Sequence, residues 1–337
     1  MPTQTMKAIR LHEFGGPEVL RFDDVPIPVA GPGEVLIRVH AVGLNPPDFY
    51  AREGMPDVPA ELKPPMELPL IPGTDVSGVV AGLGTGVDAF AVGDEVFGML
   101  RFPTVMQSGA YAEYVTTPAS DLARKPASVD HVHAAALAMS GLTAWQFLIE
   151  LGHHHPSPFQ KAEHRPMALD SEKTVLVNGA AGGVGHLALQ LAKWQGAHVI
   201  AVASGSHETF LRGLGADEFV DYTKDRPEDT VRGIDLVLDN VGGPDSRRFL
   251  RTLKRGGALY PVYFGEFDEE ENAKLGVTVT ATQVRASGGQ LAELARLLEN
   301  GTIRVAIDST FALEDAPAAH KRAAGGHLRG KIVLTVA

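Results

Sequence analysis

Residues 174–204 constrain the fold of this chain more than any other stretch. An apolar run TVLV at 174–177 reads as a buried parallel strand, and a glycine-rich turn follows at 178–185. Next come apolar positions at helical spacing and a second buried run, HVIAVA, at 198–203. Strand, glycine turn, helix and strand in that order form one βαβ unit, with a phosphate-sized gap at the helix N-terminus. Ala180, Gly182 and Gly185 give the A-x-G-x-x-G spacing, and Gly183 and Val184 complete the turn. Gly182 lets backbone approach a diphosphate, Gly185 lets the helix pack on the strand, and the helix's free N–H groups hold the anion.

The end of the second strand bears on which dinucleotide is taken. An NAD site usually places Asp or Glu there for the ribose 2′-hydroxyl. Here Ala203 is followed by Ser204, Gly205, Ser206 and His207, with no acid before Glu208. That removes repulsion toward a 2′-phosphate, and Ser204 and Ser206 can donate to it, with His207 adding part of a charge. The chemistry predicts NADP(H). A capping role for 204–206 on the next helix is compatible with it.

A chain of 337 residues is long enough for two well-buried cores. Its net charge of −11 argues against nucleic acid or an anionic membrane as partner. With no Cys, thiolate zinc sites, disulfides and cysteine nucleophiles are excluded. No secretory h-region opens the chain and no apolar run approaches the ~20 residues that span a bilayer, so a cytoplasmic protein is expected.

Residues 1–125 are β-branched runs broken by Pro and Gly, as in 34–44, 76–84 and 110–117, and read as a mostly antiparallel β unit. Residues 126–305 turn helical from His131 and then alternate, with strands expected at 174–177, 198–203, 218–221, 234–239 and 257–264 and a helix at 290–300. Residues 306–337 return to β character. The fold predicted is α/β: a doubly wound parallel sheet inserted into a β-rich domain. A polar segment at 152–172, with the run His153, His154 and His155, interrupts the pattern and reads as a surface loop.

Several motifs occur in the order found in one family. They include GPGEVLIRVHAVGLNPPDFYAREG (31–54), IPGTDVSGVVAGLGTGVDAFAVGDEVFG (71–98) and GAYAEYVT (109–116). SGLTAW (140–145), the turn at 178–185, LGADEFVDY (214–222) and GHLRGKIVL (326–334) continue the series. The chain resembles the zinc-independent medium-chain dehydrogenases/reductases, in the NADP-dependent quinone oxidoreductase-like group. The resemblance implies a Rossmann domain beside a GroES-like domain, and the insertion at 152–172 departs from the short linker usual there. Zinc alcohol dehydrogenases carry Gly-His-Glu where this chain has Gly73, Thr74 and Asp75, and an early Cys that is missing here. No catalytic zinc of that type is therefore expected. Without a Lewis acid, conjugate reduction suits the site, since charge delocalises into an enolate or hydroquinone. The expected partner is a small quinone or α,β-unsaturated carbonyl.

By resemblance, Asn45 and Tyr50 line the substrate pocket, as hydrogen-bond donors to the acceptor oxygen. Their plainer roles are a turn before Pro46 and a packed ring. Thr143 matches a threonine at the nicotinamide end, the alternative being a hydroxyl bonded back to its own helix. Tyr222 matches a tyrosine near the adenosine phosphate. Asn240, Val241 and Gly242, then Tyr263, Phe264 and Gly265, end two strands on the side where open α/β sheets bind ligands, so they are expected to bind the cofactor, the second trio bordering the nicotinamide. Lys331 either reaches the cofactor or sits at a solvated strand end. Relatives commonly pair through sheet edges, so a homodimer is expected. A dedicated enoyl or enone reductase and a non-catalytic scaffold or RNA-binding relative are the competing readings, the acidic balance weighing against RNA.

Overall fold

The computed structural model describes residues 4–56, 58, 63, 66–101, 109–151, 164–263 and 265–336. Its first part contains β1 (Thr5–Leu11), β2 (Leu20–Pro26), β3 (Glu34–Gly43), α1 (Pro46–Glu53), β4 (Asp75–Leu83), β5 (Glu95–Met99), β6 (Tyr114–Pro118) and β7 (Leu122–Arg124). Helix α2 (His131–Leu148) leads to β8 (Thr174–Asn178), α3 (Gly185–Trp194), β9 (His198–Ala203), α4 (Glu208–Gly213), β10 (Glu218–Asp221), α5 (Pro227–Thr230) and β11 (Ile234–Asp239). Then follow β12 (Leu253–Pro261), α6 (Glu269–Leu275), β13 (Thr278–Val279), α7 (Gly288–Glu299), β14 (Ile307–Ala312), α8 (Ala316–Ala324) and β15 (Lys331–Thr335).

Six strands pair in parallel in the order β10-β9-β8-β11-β12-β13. Both faces are buried: Val175, Val177, Val199 and Ala201 point into one core, Leu176, Ile200 and Val202 into another. Two-sided burial is why these strands read as continuous apolar runs in the sequence. The strand order reverses between β8 and β11, and there Asn178 donates to Asp239 across 2.7 Å.

The second sheet runs β14-β15-β3-β4-β5-β7, with β6 also on β3. All its pairs are antiparallel except β14 with β15. The chain's end thus returns to the sheet it left, β15 pairing β3 at residues 41–43. The strand expected over 110–117 begins only at Tyr114. The N–H groups of Gly109, Ala110 and Tyr111 bond instead to the carbonyls of Ile71, Gly73 and Pro72, which holds that stretch in a turn.

Helix α2 is buried along its whole length from Ala134 onward and packs against both the second sheet and α3. Asp130 caps it by accepting from His133 N–H. Its close approach to β3 needs Gly43, where a Cβ would lie 3.0 Å from the Ala135 carbonyl oxygen.

Residues 152–163, with the three-histidine run, lie outside the described residues. The surface-loop expectation fails for His164, which is fully buried. Its ring meets Phe147 and Tyr260, and its two nitrogens bond the Phe147 carbonyl and the Thr280 hydroxyl.

Candidate active site

The glycine turn hangs from the end of β8, beside the reversal in strand order. Gly179 takes φ +68°, a conformation that favours glycine, and Ala180 N–H bonds Val202 O. A Cβ at Gly185 would lie 2.2 Å from Gly179 O, so only glycine lets α3 start this close to the strand. A Cβ at Gly182 would meet nothing nearer than 3.4 Å, leaving open space over the turn. At Gly183 it would press on Lys331 Cδ at 2.9 Å. Val184 is the N-cap position of α3. His186 is buried as the second residue of α3; its Nδ1–H donates to Gly182 O at 2.8 Å and its Nε2 accepts from Ala306 N–H at 3.1 Å. Burial pushes its pKa down to about 4, so it stays neutral in holding the turn against residues 304–306.

Around the end of β9, Ser204 and Ser206 exchange a 3.0 Å hydrogen bond, and Gly205 leads a 3-10 turn through His207. Burial, then the Arg329 guanidinium and His327, lowers the pKa of His207, against the Asp308 carboxylate, which raises it. Arg329 lies 4.3 Å over the Phe210 ring. Tyr222 is 46% exposed, with its N–H on Ala203 O. An acid is present after all, brought by β10: a Cβ on Gly205 would lie 2.4 Å from Asp221 Oδ2. That carboxylate is engaged by Thr223 and Lys224, its pKa lowered to about 2 chiefly by the Thr223 hydroxyl.

At the end of β11 the buried Asp239 accepts from the N–H groups of Val241 and Gly242. Gly242 takes φ +67°, and Val241 is left 59% exposed. Asn240 donates its amide to Asn178 O, while its Oδ1 is buried without a partner among the described residues. Beyond β12, Tyr263 faces Tyr50 of α1 with ring centroids 5.9 Å apart. Gly265 adjoins the Phe267 ring, and Phe264 lies outside the described residues. Thr143 donates to Met139 O at 2.7 Å, so its hydroxyl follows the helix-bonded alternative.

Asn45 is 2% exposed at the N-cap of α1. Its Nδ2 donates to Asp75 Oδ2 at 2.8 Å and Thr74 Oγ1 at 3.1 Å, and its Oδ1 accepts from Lys331 Nζ. Both amide hydrogens are directed to protein acceptors, which redraws its expected role as a donor to substrate: in this structure Asn45 orders its surroundings. Lys331 is buried, not solvated, and also donates to Leu44 O at 2.6 Å. Asp75 takes the remaining side of this cluster, with Lys331 Nζ at 3.5 Å and the Met139 N–H at 2.8 Å. Burial lowers the Lys331 pKa and raises that of Asp75, each charge being held by the other.

The sequence matches the family profile described as Alcohol dehydrogenase GroES-like domain over residues 31–127 and that described as Zinc-binding dehydrogenase over 214–334. The mouse (Mus musculus) protein named NAD(P)H oxidoreductase RTN4IP1, mitochondrial, is 34% identical, with 98% of this chain and 89% of the relative covered. The quinone oxidoreductase from Coxiella burnetii superposes with a TM-score of 0.85 at 33% identity, covering 99% of this chain and 100% of that one.

This chain is a medium-chain dehydrogenase/reductase of the quinone oxidoreductase-like group.

A mycobacterial protein complexed with NADPH has the same fold, with a TM-score of 0.80 and 31% identity over 98% of this chain and 100% of that one. As a member of this group the chain is an oxidoreductase of NAD(P)H type. Its cradle fits a dinucleotide on three observations: the space over Gly182, the helix seated by Gly185, and the unpartnered Oδ1 of Asn240. Sequence reasoning missed Arg329, His186 and Asp75. For Arg329 the only signal was its place in GHLRGKIVL, far along the chain from His207. Among the described residues, no group of three or more His, Asp or Glu is arranged to hold a metal ion.

Proposed function

We propose that this reductase uses NADPH to reduce a quinone or an α,β-unsaturated carbonyl, without a catalytic metal. The observation that carries the reading is the Tyr50–Tyr263 pair, whose rings meet at 5.9 Å and form one aromatic surface beside the strand ends. Flat conjugated acceptors pack well on such a surface.

When bound, NADPH supplies the hydride. The turn at Gly182, Gly183, Val184 and Gly185, with the start of α3, holds its diphosphate. Ser204, Ser206 and Arg329 receive the 2′-phosphate, aided by the edge of Tyr222, while Gly205 and His207 shape that corner. Asn240, Val241 and Gly242 border the nicotinamide ribose, where Asn240 Oδ1 accepts a donor, and Thr143 and Gly265 complete the wall. Lys331 holds Asn45 and Asp75 beneath the turn, and α1 presents the Tyr50 hydroxyl to the acceptor oxygen as it gains charge. Orientation against the acceptor and that hydrogen bond supply the catalysis. The metal-free reading is supported by the ligand chemistry: no Cys in the chain, and an Asp75 already occupied by an ammonium. A cytoplasmic homodimer, with β13 at the sheet edge available for pairing, completes the proposal.

The test is NADPH oxidation by the purified protein with quinones and enones, with EDTA present and NADH in parallel. Fast, NADPH-selective, EDTA-insensitive turnover is expected. Turnover only of saturated ketones, or loss of activity in EDTA, would refute the proposal.

A further inference from the structure

Helix α1 carries two buried polar side chains one turn apart, Asp48 and Arg52. Tyr50, two residues from each, falls on the opposite side of the helix. An eight-residue helix has little stability of its own, so its position comes from what grips it. His320 of α8, 1% exposed, supplies that grip. Its Nδ1 lies 3.1 Å from Arg52 Nη1 and its Nε2 3.0 Å from the Tyr111 hydroxyl. A guanidinium has donors only, so Nδ1 accepts and the ring is the neutral Nε2–H tautomer, donating to the Tyr111 oxygen. Tyr111 in turn donates to Asp48 Oδ2 at 3.4 Å, the same oxygen that accepts Asn45 N–H at 2.8 Å. The donors run in one direction from Arg52 through His320 and Tyr111 to Asp48, closing on the helix they left. Phe49 packs edge-on against the imidazole with centroids 4.8 Å apart, and Arg52 Nε is tied to Gly15 O.

We propose that His320 is a positioning residue for the acceptor pocket. As a neutral imidazole it fixes the rotation of α1 and thereby the approach of Tyr50 to Tyr263. The proposal rests on the reading that those two tyrosines wall the pocket. His320 itself touches neither substrate nor cofactor; its effect passes through α1.

Three variants and one spectrum test it. His320→Phe keeps a ring and removes both hydrogen bonds; it is expected to raise the acceptor KM about tenfold while the NADPH dissociation constant, read from cofactor fluorescence, stays within about twofold. In His320→Gln an amide oxygen can accept from Arg52 and an amide N–H can donate to Tyr111, so the acceptor KM should return to within about threefold of the starting protein. Long-range proton–nitrogen NMR of histidine-labelled protein should show a neutral ring protonated at Nε2 from pH 5 to 8. An unchanged acceptor KM in His320→Phe, or a ring protonated at Nδ1, would overturn the proposal. Should His320→Phe not fold, Tyr111→Phe removes a single hydroxyl from the same chain, and an unchanged KM there overturns it equally. Tyr50→Ala separates the two ideas: an unchanged acceptor KM in that variant sinks the pocket reading even where the NMR result stands.

Discussion

The rings of Tyr50 and Tyr263 lie 5.9 Å apart at an interplanar angle of 31°, one on α1 and the other just past β12. Tyr50 lies on the helix that follows β3 of one sheet and Tyr263 just past β12 of the other, and the acceptor is proposed to bind against them. Tyr263→Ala should raise the acceptor KM about tenfold with NADPH affinity preserved. Tyr50→Phe should instead lower kcat by roughly ten- to a hundredfold, because the phenol's hydrogen bond strengthens as charge develops. Steady-state kinetics with a quinone series distinguish them; full kcat in Tyr50→Phe would mean the phenol takes no chemical part.

The Arg329 guanidinium acts on His207, opposed by the Asp308 carboxylate, and is proposed to meet the 2′-phosphate beside Ser204 and Ser206. Arg329→Ala should reduce kcat/KM for NADPH by about ten- to a hundredfold, the worth of one charge-assisted contact, and leave NADH nearly untouched. The ratio of the two specificity constants is the measurement. Equal losses with both cofactors would place Arg329 outside the 2′-phosphate site.

Gly185→Ala drives a methyl group to within 2.2 Å of Gly179 O and 2.8 Å of Ala180 Cα, both backbone atoms. A loss of about 2–4 kcal/mol in unfolding free energy is expected from that overpacking, together with weakened binding of both nucleotides. Denaturant melts and fluorescence titration check it. Gly182→Ala, with open space at 3.4 Å, should fold normally and lose only dinucleotide binding.

Removing Lys331 leaves Asp75 as a buried, unpaired carboxylate. Lys331→Met should cost about 3–5 kcal/mol. Asp75→Asn made in the same chain should recover part of that loss, since no charge then needs a partner. Additive losses in the double-mutant cycle would show the two residues to be uncoupled.

Stability should respond to acid through opposing groups. His186 and His320 are held neutral by burial, with pKa values of about 4 and 3. The unfolded chain takes up those protons first, so both residues lower stability as pH falls below about 6.5. Asp48 works the other way: burial, with Asp75 adding to it, raises its pKa to about 7. Its contribution is present at low pH and is lost as pH rises from about 4 to 7. Asp48→Asn removes only the second effect, so its stability should fall more steeply on acidification from pH 7 to 4.5. Urea unfolding across that range measures the slope, and a slope shallower than in the unsubstituted protein would contradict the assignment.

The strands at β8, β9, β10 and β11 and the glycine turn were legible because their signals are local. For β8, β9 and β11 burial on both faces reads as an apolar run, whereas β10 is an edge strand with no buried residue; a tight turn into a helix demands glycine at set spacing. Asn45, Lys331 and Thr143 were legible as positions but not as roles. Whether an amide faces solvent or saturates itself on Asp75, Thr74 and Lys331 depends on partners dozens to hundreds of residues away. The insertion misled for a similar reason: polar composition gave no hint that the His164 ring would close a core against Phe147 and Tyr260.

By itself, the sequence determined the α/β architecture, the dinucleotide cradle and the absence of thiolate chemistry, since these follow from residue type and short-range periodicity. Only the tertiary structure decided that Arg329 stands beside His207, that Asp221 backs Gly205 and that His320 bridges Arg52 to Tyr111. The physical reason is long-range pairing: β10 beside β9 brings Asp221 to Gly205, and once β15 adds to β3, α8 is carried against Arg52 and Tyr111 and the segment before β15 against the nucleotide-domain turns. Side chains that meet by such closure share no local pattern, only the packing that brings them together.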